Sequence, residues 1–282
     1  MSNSTLNTAA AFLPEDYGNL LIATASKMSV ALETTTVVTT TSTEFRIPLV
    51  TDEAGADWYA EQAEIAIDDA TLGEETVRPR KVAGFTPLSN ELVNDSSPSA
   101  AIVIGDSIAR SIATKIDAAL FGNAPGTGVP PKGIGAFADG AVSLVTAPAA
   151  WANVDPFIEA IFKVDTAGGN ITAFVANPAD AETLAKLKKE TGSNEPLLAP
   201  DANSSTRRSL AGVELHTSAA VPAGTIYGYD KTRLFTVVRD DVSVEMDRSV
   251  LFRSDSTAIR AVARIGFGYT HPKSIARIKL GE

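Results

Sequence analysis

The segment from residue 51 to residue 77 constrains the fold most, because it carries nine carboxylates and no lysine or arginine. So many like charges cannot be buried together in a core, since each buried ion loses its hydration. Glycine tolerates a positive φ, so we predict a turn near Leu72 and Gly73. The segment is therefore predicted to form a hairpin that starts at Trp58, projects into solvent or over a basic surface, and returns through Val77 to Val82.

A long amphipathic helix is predicted after this hairpin. One apolar stripe recurs every four residues, as on a helix with one buried face: Ile104, Ile108, Ile112 and Ile116. Ser97 and Pro98 suit the N-cap and the first helical position, and Gly122 suits the end. We predict a helix over residues 98–121, which at ~1.5 Å per residue is roughly 35 Å long.

The residues before the hairpin are predicted to form an arm. An amphipathic segment from Tyr17 to Leu32 precedes the β-branched run 34–41, which is stiff and extended. Such a run gains little by packing on its own chain. We expect it to pair with a sheet edge, including that of a neighbouring copy.

Helices and strands alternate after residue 133. Helices are predicted to open at Asp155-Pro156 and, from a cap at Asn177-Pro178, over 179–189. Strands are predicted at 171–176, 210–215, 225–229, 234–238 and 242–246, the last two around a turn at 239–241. A long alternating strand covers 257–269, with Arg260 and Arg264 opposite its apolar face.

Charge is unevenly distributed along the chain. The net charge is −10 over residues 1–97, −4 over 98–206 and +4 over 207–282. An acidic front and a basic rear favour head-to-tail contact between copies, although solvated faces of uneven charge explain the same numbers. The total of −10 argues against a nucleic-acid clamp, which needs concentrated lysine and arginine.

The composition excludes several classes of site. The chain has no cysteine, hence neither disulfides nor thiolate metal ligands, and no apolar run long enough to cross a membrane. His216 and His271 lack a second metal ligand nearby in sequence, and Gly126–Gly133 has proline where a phosphate loop needs its second glycine. No nucleophile, base and oxyanion site assemble, so we predict no enzyme, cofactor or metal site.

Short motifs in a fixed order resemble a known family. They are Phe45-Arg46-Ile47-Pro48, Trp58 followed by Glu61, residues 80–84 leading into 88–95, Ile112-Ala113 with Ile116-Asp117, Phe121-Gly122, Pro131-Lys132-Gly133-Ile134, and residues 210–213, 221–224 and 260–266. From about residue 10 to the end, the chain resembles the major capsid proteins of tailed bacteriophages that share the HK97-type fold.

The resemblance implies an α+β, HK97-type capsid fold with five parts. These are an N-terminal arm (1–45), an extended β-hairpin loop (46–85), a peripheral domain with a long spine helix (86–134), an axial domain (135–230) and the return strands of the peripheral domain (231–282). It also implies contacts between subunits, for which we nominate Trp58, Glu61, Glu64, Asp68, Asp69, Arg78, Arg80, Lys81, Arg260 and Arg264.

The function implied is a structural one. Members self-assemble into pentamers and hexamers of an icosahedral virion head, built in the host cytoplasm, that encloses double-stranded DNA without sequence-specific binding. Separate scaffolding, portal and decoration proteins are the expected partners, and no membrane is expected. An encapsulin-like compartment, which shares the fold and would hold an enzyme cargo, is the alternative. From another class, an acidic hydrolase is the remaining alternative.

The chain departs from the family pattern in two places. Some relatives carry a long N-terminal scaffolding segment, whereas this chain starts almost directly at the arm, so scaffolding is either a separate protein or a removed segment. The founding relative cross-links subunits through a lysine in the extended loop. Residues 51–77 contain no lysine and Lys81 lies near the base, so we predict that no such cross-link forms.

Overall fold

The computed structural model describes residues 28–52, 58–59, 61, 71–91, 100–188, 197–198, 208–247 and 249–281. Its helices are α1 (Val30–Thr34), α2 (Ala100–Phe121), α3 (Asp155–Thr166) and α4 (Pro178–Lys186). Its strands are β1 (Thr36–Thr40), β2 (Phe45–Asp52), β3 (Thr71–Val77), β4 (Arg80–Ser89), β5 (Ser143–Ala147), β6 (Ala173–Ala176), β7 (Arg208–Leu210), β8 (Val213–Thr217), β9 (Thr225–Tyr229), β10 (Leu234–Asp247), β11 (Ser256–Tyr269) and β12 (Ile275–Leu280). Helices and strands are mixed, as the predicted α+β class requires.

The first sheet has four strands in the order β1-β10-β11-β4. β1 runs parallel to β10, and the other neighbours are antiparallel. The expectation that the run 34–41 gains little from its own chain is therefore wrong, since the edge of β10 accepts residues 36–40 as a strand. Its first residue, Thr34, ends helix α1 instead.

The second sheet has six strands in the order β5-β12-β9-β6-β8-β7. Helix α3 packs against β5 and β12, and Asn177 caps α4 by accepting a hydrogen bond from the backbone N–H of Ala179. The strands after residue 231 were grouped together in the prediction, but only β10 and β11 lie in the four-stranded sheet. β12 lies inside the six-stranded one, between β5 and β9.

Helix α2 is the longest described helix and lies against the four-stranded sheet. Its 22 residues span about 33 Å at ~1.5 Å per residue. The predicted stripe is confirmed, because Ile108, Ile112 and Ile116 are buried in the core beside residues of β10 and β11. The helix ends at Phe121, directly before Gly122 as predicted. The predicted start at Ser97 and Pro98 lies outside the described residues.

The third sheet is the two-stranded hairpin of β2 and β3. Gly73 pairs with Leu49 in the middle of this hairpin, so the predicted turn near Leu72 and Gly73 is wrong. The predicted return from Val77 to Val82 is also not one strand. It breaks at Arg78 and Pro79, after which β4 enters the four-stranded sheet.

Three other local predictions need correction. The predicted strand 210–215 is broken by a turn at Ala211 and Gly212, which both adopt positive φ, so that Leu210 ends β7 and Val213 begins β8. The predicted turn at 239–241 lies inside β10, whose pairing with β11 is irregular between Arg239 and Ser243. Helix α4 ends at Lys186 rather than at residue 189.

Among the described helices, none is both long enough and apolar enough to cross a bilayer.

Candidate intersubunit surfaces

The base of the β2–β3 hairpin is seated on the outer face of the four-stranded sheet, the face opposite α2. Ile47 and Val77 are buried there and form a small apolar cluster with Val237 of β10. The side chains of Ile47 and Val77 can pack this closely because the residues of β11 beneath them are glycines, which have no Cβ. A Cβ on Gly268 would meet Ile47 Cδ1 and Val77 Cγ2 at 2.7 Å, and a Cβ on Gly266 would meet Val77 Cγ1 at 2.7 Å. The glycines therefore fix where the hairpin leaves the body.

Beyond this base the hairpin is exposed and carries apolar side chains. Val50 and Leu72 are directly paired across the two strands, and their side chains are mostly exposed. Trp58 is fully exposed, and Glu61 is exposed as well. An apolar pair with a tryptophan on a segment rich in carboxylates is a surface that can be buried against another molecule.

A groove of about 520 Å³ lies between β4, the C-terminal half of α2 and the loop after α2. Its floor is apolar and includes the buried side chains of Ile116, Ile265 and Phe267. Its charged lining residues are Arg80, Lys81 and Lys115, and the described lining contains no carboxylate. A basic rim around an apolar floor suits an acidic segment that also carries apolar side chains.

A second groove, of about 400 Å³, lies between the hairpin base and the loop after α2. Arg78, Arg80 and Lys132 line it together with Glu75. Burial raises the pKa of the Glu75 carboxyl, and the charge of Lys132 partly opposes this. Arg78 also bonds to a residue that does not line the groove, since its Nε donates to Glu44 Oε1 at 2.8 Å.

The outer face of the four-stranded sheet carries a row of basic residues. Arg239, Arg264 and Lys81 lie opposite one another on β10, β11 and β4. Directly opposed residues project to the same face, so the three charges form one band. Four residues before Arg264 on β11, Arg260 pairs with Glu245 of β10. The exposed ring of Phe85 lies opposite Arg260 on β4.

The seven predicted contact residues that the structure describes do not lie in one place. Arg80 and Lys81 line the first groove, Arg78 the second, and Arg260 and Arg264 lie on the outer face. Trp58 and Glu61 are exposed, and Glu64, Asp68 and Asp69 lie outside the described residues. Sequence reasoning missed Lys115 and Lys132, because both belong to elements distant in sequence from β4. A weak signal existed for Lys115, which directly precedes Ile116 of the apolar stripe.

The two histidines have different surroundings. His216 Nδ1 is 3.7 Å from Glu33 Oε2, and its Nε2 is 3.7 Å from Glu214 Oε2. The expectation that no ligand lies near His216 in sequence is therefore wrong, since Glu214 is two residues away on the same strand. His271 Nε2 lies 3.0 Å from the carbonyl oxygen of Ala167. Within the described ranges, no cluster of three or more metal-ligating side chains occurs.

Comparison with known proteins places the chain among structural proteins of phage. A model of the phage capsid family matches residues 9–280. The chain belongs to the phage capsid family. It is a capsid protein, and its role is structural rather than enzymatic. This agrees with the resemblance found in the sequence. The match does not favour the alternative of an encapsulin-like compartment.

Individual relatives of this capsid protein are distant. The chain is 32% identical over 75 residues to a capsid polyprotein of Pseudomonas phage PAJU2, a match that spans 26% of this chain and 11% of the polyprotein. A solved structure from Mycobacterium phage Bobi covers all of the chain and 96% of its own, with a TM-score of 0.74 and 20% identity. The capsid of an empty GTA particle, computed with C5 symmetry, gives a TM-score of 0.73 at 21% identity, covering 100% and 96%. These structures have the same fold.

Proposed function

We propose that this capsid protein self-assembles into the pentamers and hexamers of an icosahedral phage head that encloses double-stranded DNA. Assembly takes place in the host cytoplasm, with separate scaffolding, portal and decoration proteins as partners. A closed shell needs subunits that each carry two complementary surfaces, so that every copy can bind the next. The chain offers such a pair in the acidic hairpin and the basic groove.

The observation that supports this proposal is the chemical match between these two surfaces. The hairpin segment carries nine carboxylates without a basic residue. The groove presents Arg80 and Lys115 around an apolar floor, and Lys81, opposite Arg264, adds its charge to the band on the outer face. The exposed pair Val50 and Leu72 supplies apolar surface at the hairpin. We propose that the hairpin of one copy binds the groove of its neighbour, and that the basic band containing Arg264 extends this contact.

The overall charge fits the same role. A net charge of −10 keeps the shell from binding DNA tightly through phosphate contacts, since these require clustered cations. A wall that encloses DNA works best when the DNA remains free to be packed and released. Confinement without tight binding is therefore expected.

Negative-stain microscopy of the expressed protein tests the proposal. Closed shells of uniform diameter are expected, and a monomer at high concentration by light scattering would overturn the proposal. The contents of particles from infected cells separate the two kinds of shell. Double-stranded DNA inside supports a phage head, whereas an enzyme cargo without DNA would contradict it.

Charge reversal in the hairpin tests the contact itself. Changing Glu61, Glu64 and Asp68 together to lysine should impair assembly without unfolding the subunit, because like charges then meet at the groove rim. Circular dichroism of the isolated subunit is the control for folding. An unchanged shell yield would show that the acidic hairpin does not make this contact.

A further inference from the structure

Residues 29–36, here termed the strap, form a short buried segment at the junction of the two large sheets. The side chains of Ser29, Thr34 and Thr35 are almost completely buried although all three are polar. Ala31 and Leu32 belong to the main hydrophobic core, which contains residues of both sheets. A buried polar segment must find its hydrogen-bond partners inside the protein.

Asp117 of α2 anchors the start of the strap. Its Oδ1 accepts from Ser29 Oγ at 2.6 Å and from the backbone N–H of Ala31 at 3.0 Å. Its Oδ2 accepts from the backbone N–H of Val30 at 3.3 Å and from Ser218 Oγ at 3.3 Å. Ser218 follows β8, so one carboxylate joins the strap, the long helix and the six-stranded sheet.

The rest of the strap bonds to both sheets. Thr34 Oγ1 donates to the carbonyl of Val30 at 2.6 Å and lies 2.6 Å from Tyr229 Oη of β9, so the tyrosine is the donor. Burial is the main cause that raises the pKa of the Tyr229 hydroxyl, with the Asp117 charge adding to it, which keeps the donor proton in place. Thr35 Oγ1 lies 2.6 Å from Thr236 Oγ1 of the four-stranded sheet.

The connection between the two sheets also holds the strap. Lys231, in the turn between β9 and β10, donates through Nζ to the carbonyl of Glu33 at 2.9 Å. Its own carbonyl accepts from Thr36 Oγ1 at 2.7 Å. The strap therefore bonds to each sheet and to the segment that connects them.

Helix α1 has only five residues and cannot be stable by itself, because isolated helices of this length do not form in water. It exists because Asp117 and Ser29 supply partners for its first backbone N–H groups. Loss of this anchor removes the reason for the helix to form. The arrangement seen here, with α1 formed and bonded to Asp117, is termed the docked state of the strap.

We propose that the strap sets the relative orientation of the two sheets, that Asp117 locks it in the docked state, and that it thereby controls the curvature of the assembled shell. Only the last step, the control of shell curvature, rests on the proposed function. Docking of the strap is a property of the single subunit. The orientation of the sheets becomes visible as particle diameter, because a small change in subunit shape is repeated at every contact in the shell.

The test compares Asp117→Asn with Asp106→Asn. Asp106 is an exposed carboxylate on the same helix, so the control makes the same chemical change without touching the strap. Hydrogen–deuterium exchange of the isolated subunit reports docking. We expect the peptide covering residues 28–36 to exchange at least tenfold faster in Asp117→Asn and at the wild-type rate in Asp106→Asn.

Particle size provides the second readout. Shells of Asp117→Asn should have an altered or broadened diameter by electron microscopy, whereas Asp106→Asn shells should match the wild type. Unchanged exchange in the strap, or faster exchange with an unchanged diameter, would overturn the proposal. If Asp117→Asn does not fold, Thr34→Val and Ser218→Ala, which each remove one bond to the six-stranded side, decide by the same readouts.

Failure of the proposed function gives a different result. If the wild-type protein forms no shells, the diameter cannot be measured and the assembly proposal fails. Exchange in the subunit still decides whether Asp117 locks the strap. If wild-type and Asp106→Asn shells form normally, the exchange rate and the particle diameter of the Asp117 variant alone decide whether the strap proposal holds.

Discussion

Lys115 offers the sharpest test of the groove as a contact between subunits. It lies on α2 at the groove rim and is exposed, so replacing it by glutamate should not disturb the core. A cation that meets a carboxylate at an exposed site contributes about 0.5–1 kcal/mol. Reversing the charge turns this attraction into a repulsion of similar size. The contact is then weakened by about 1–2 kcal/mol, which is a factor of roughly 5–30 in affinity.

Each subunit carries one hairpin and one groove, so the weakening should appear in the concentration at which shells form. We expect Lys115→Glu to raise the critical concentration for assembly by roughly 5–30-fold, measured by light scattering across a dilution series. Raising the salt from low ionic strength should weaken wild-type assembly and bring the variant closer to it, because salt screens both effects. Combining Lys115→Glu with the lysine substitutions in the hairpin should restore part of the lost assembly.

Arg110→Glu is the matched control for this experiment. Arg110 is an exposed cation on the same helix, outside the described lining of the groove, and the substitution changes the net charge equally. If Lys115→Glu and Arg110→Glu assemble at the same concentration, only the total charge matters. The assignment of the groove as the hairpin's binding surface would then be refuted.

The remaining predictions concern two glycines, a buried arginine and the expected absence of a covalent cross-link. Gly268→Ala should lower the free energy of unfolding by about 1–3 kcal/mol and loosen the hairpin base, since the new Cβ would collide with Ile47 and Val77. Gly105→Ala should raise the free energy of unfolding by about 0.5–1 kcal/mol, because Gly105 lies in a helix with open space around it. Urea unfolding measures both changes. Arg277→Met should cost about 1–3 kcal/mol in the same assay, because the buried guanidinium donates to the carbonyls of residues 134 and 137, which then lose their partner, while the exposed Asp139 keeps Lys279. Denaturing electrophoresis of mature particles should show the monomer, and a covalent ladder alone would contradict the absence of a cross-linking lysine in residues 51–77.

The parts of the fold that sequence predicted well depend on local patterns. The isoleucine stripe gave the buried face of α2, because helix periodicity needs only near neighbours in the chain. The alternation of Ile259, Arg260 and Ala261 gave β11 with its correct faces for the same reason. Asn177 before Pro178 gave a cap and a helix start.

The errors arose where distant residues decide the local structure. Gly73 suits a turn, but the seating of Ile47 and Val77 on β11 draws both flanks of the hairpin base into extended strands, and Gly73 is paired between them. Gly266 and Gly268 seat the side chains of Val77 and Ile47, which come 189 to 221 residues earlier in the chain, so no pattern within their own strand could reveal this role.

The candidate site was predictable only in part. Arg80 and Lys81 stood out as a basic cluster beside an acidic segment, but they project to opposite faces of β4. Arg80 lies opposite Ile265 and Lys81 opposite Arg264. The groove exists because β4 packs beside α2, which adds Lys115 to its rim. That packing is tertiary, and the charge pattern alone does not contain it.

The contacts that hold the subunit together also indicate where it can change shape. β4 pairs with β11 along its ten residues, and the hairpin base packs on β11 through the side chains of Ile47 and Val77, so the hairpin base and the groove share one supporting strand. Moving the hairpin base away from the sheet would open the apolar cluster of Ile47, Val77 and Val237. In the described structure no strand pairing joins the four-stranded sheet to the six-stranded one. Beyond shared apolar packing, the strap bridges them through a few side-chain bonds around Asp117, Tyr229 and Thr236. These few side-chain bonds are therefore where we expect single substitutions to change how the two sheets are held relative to each other.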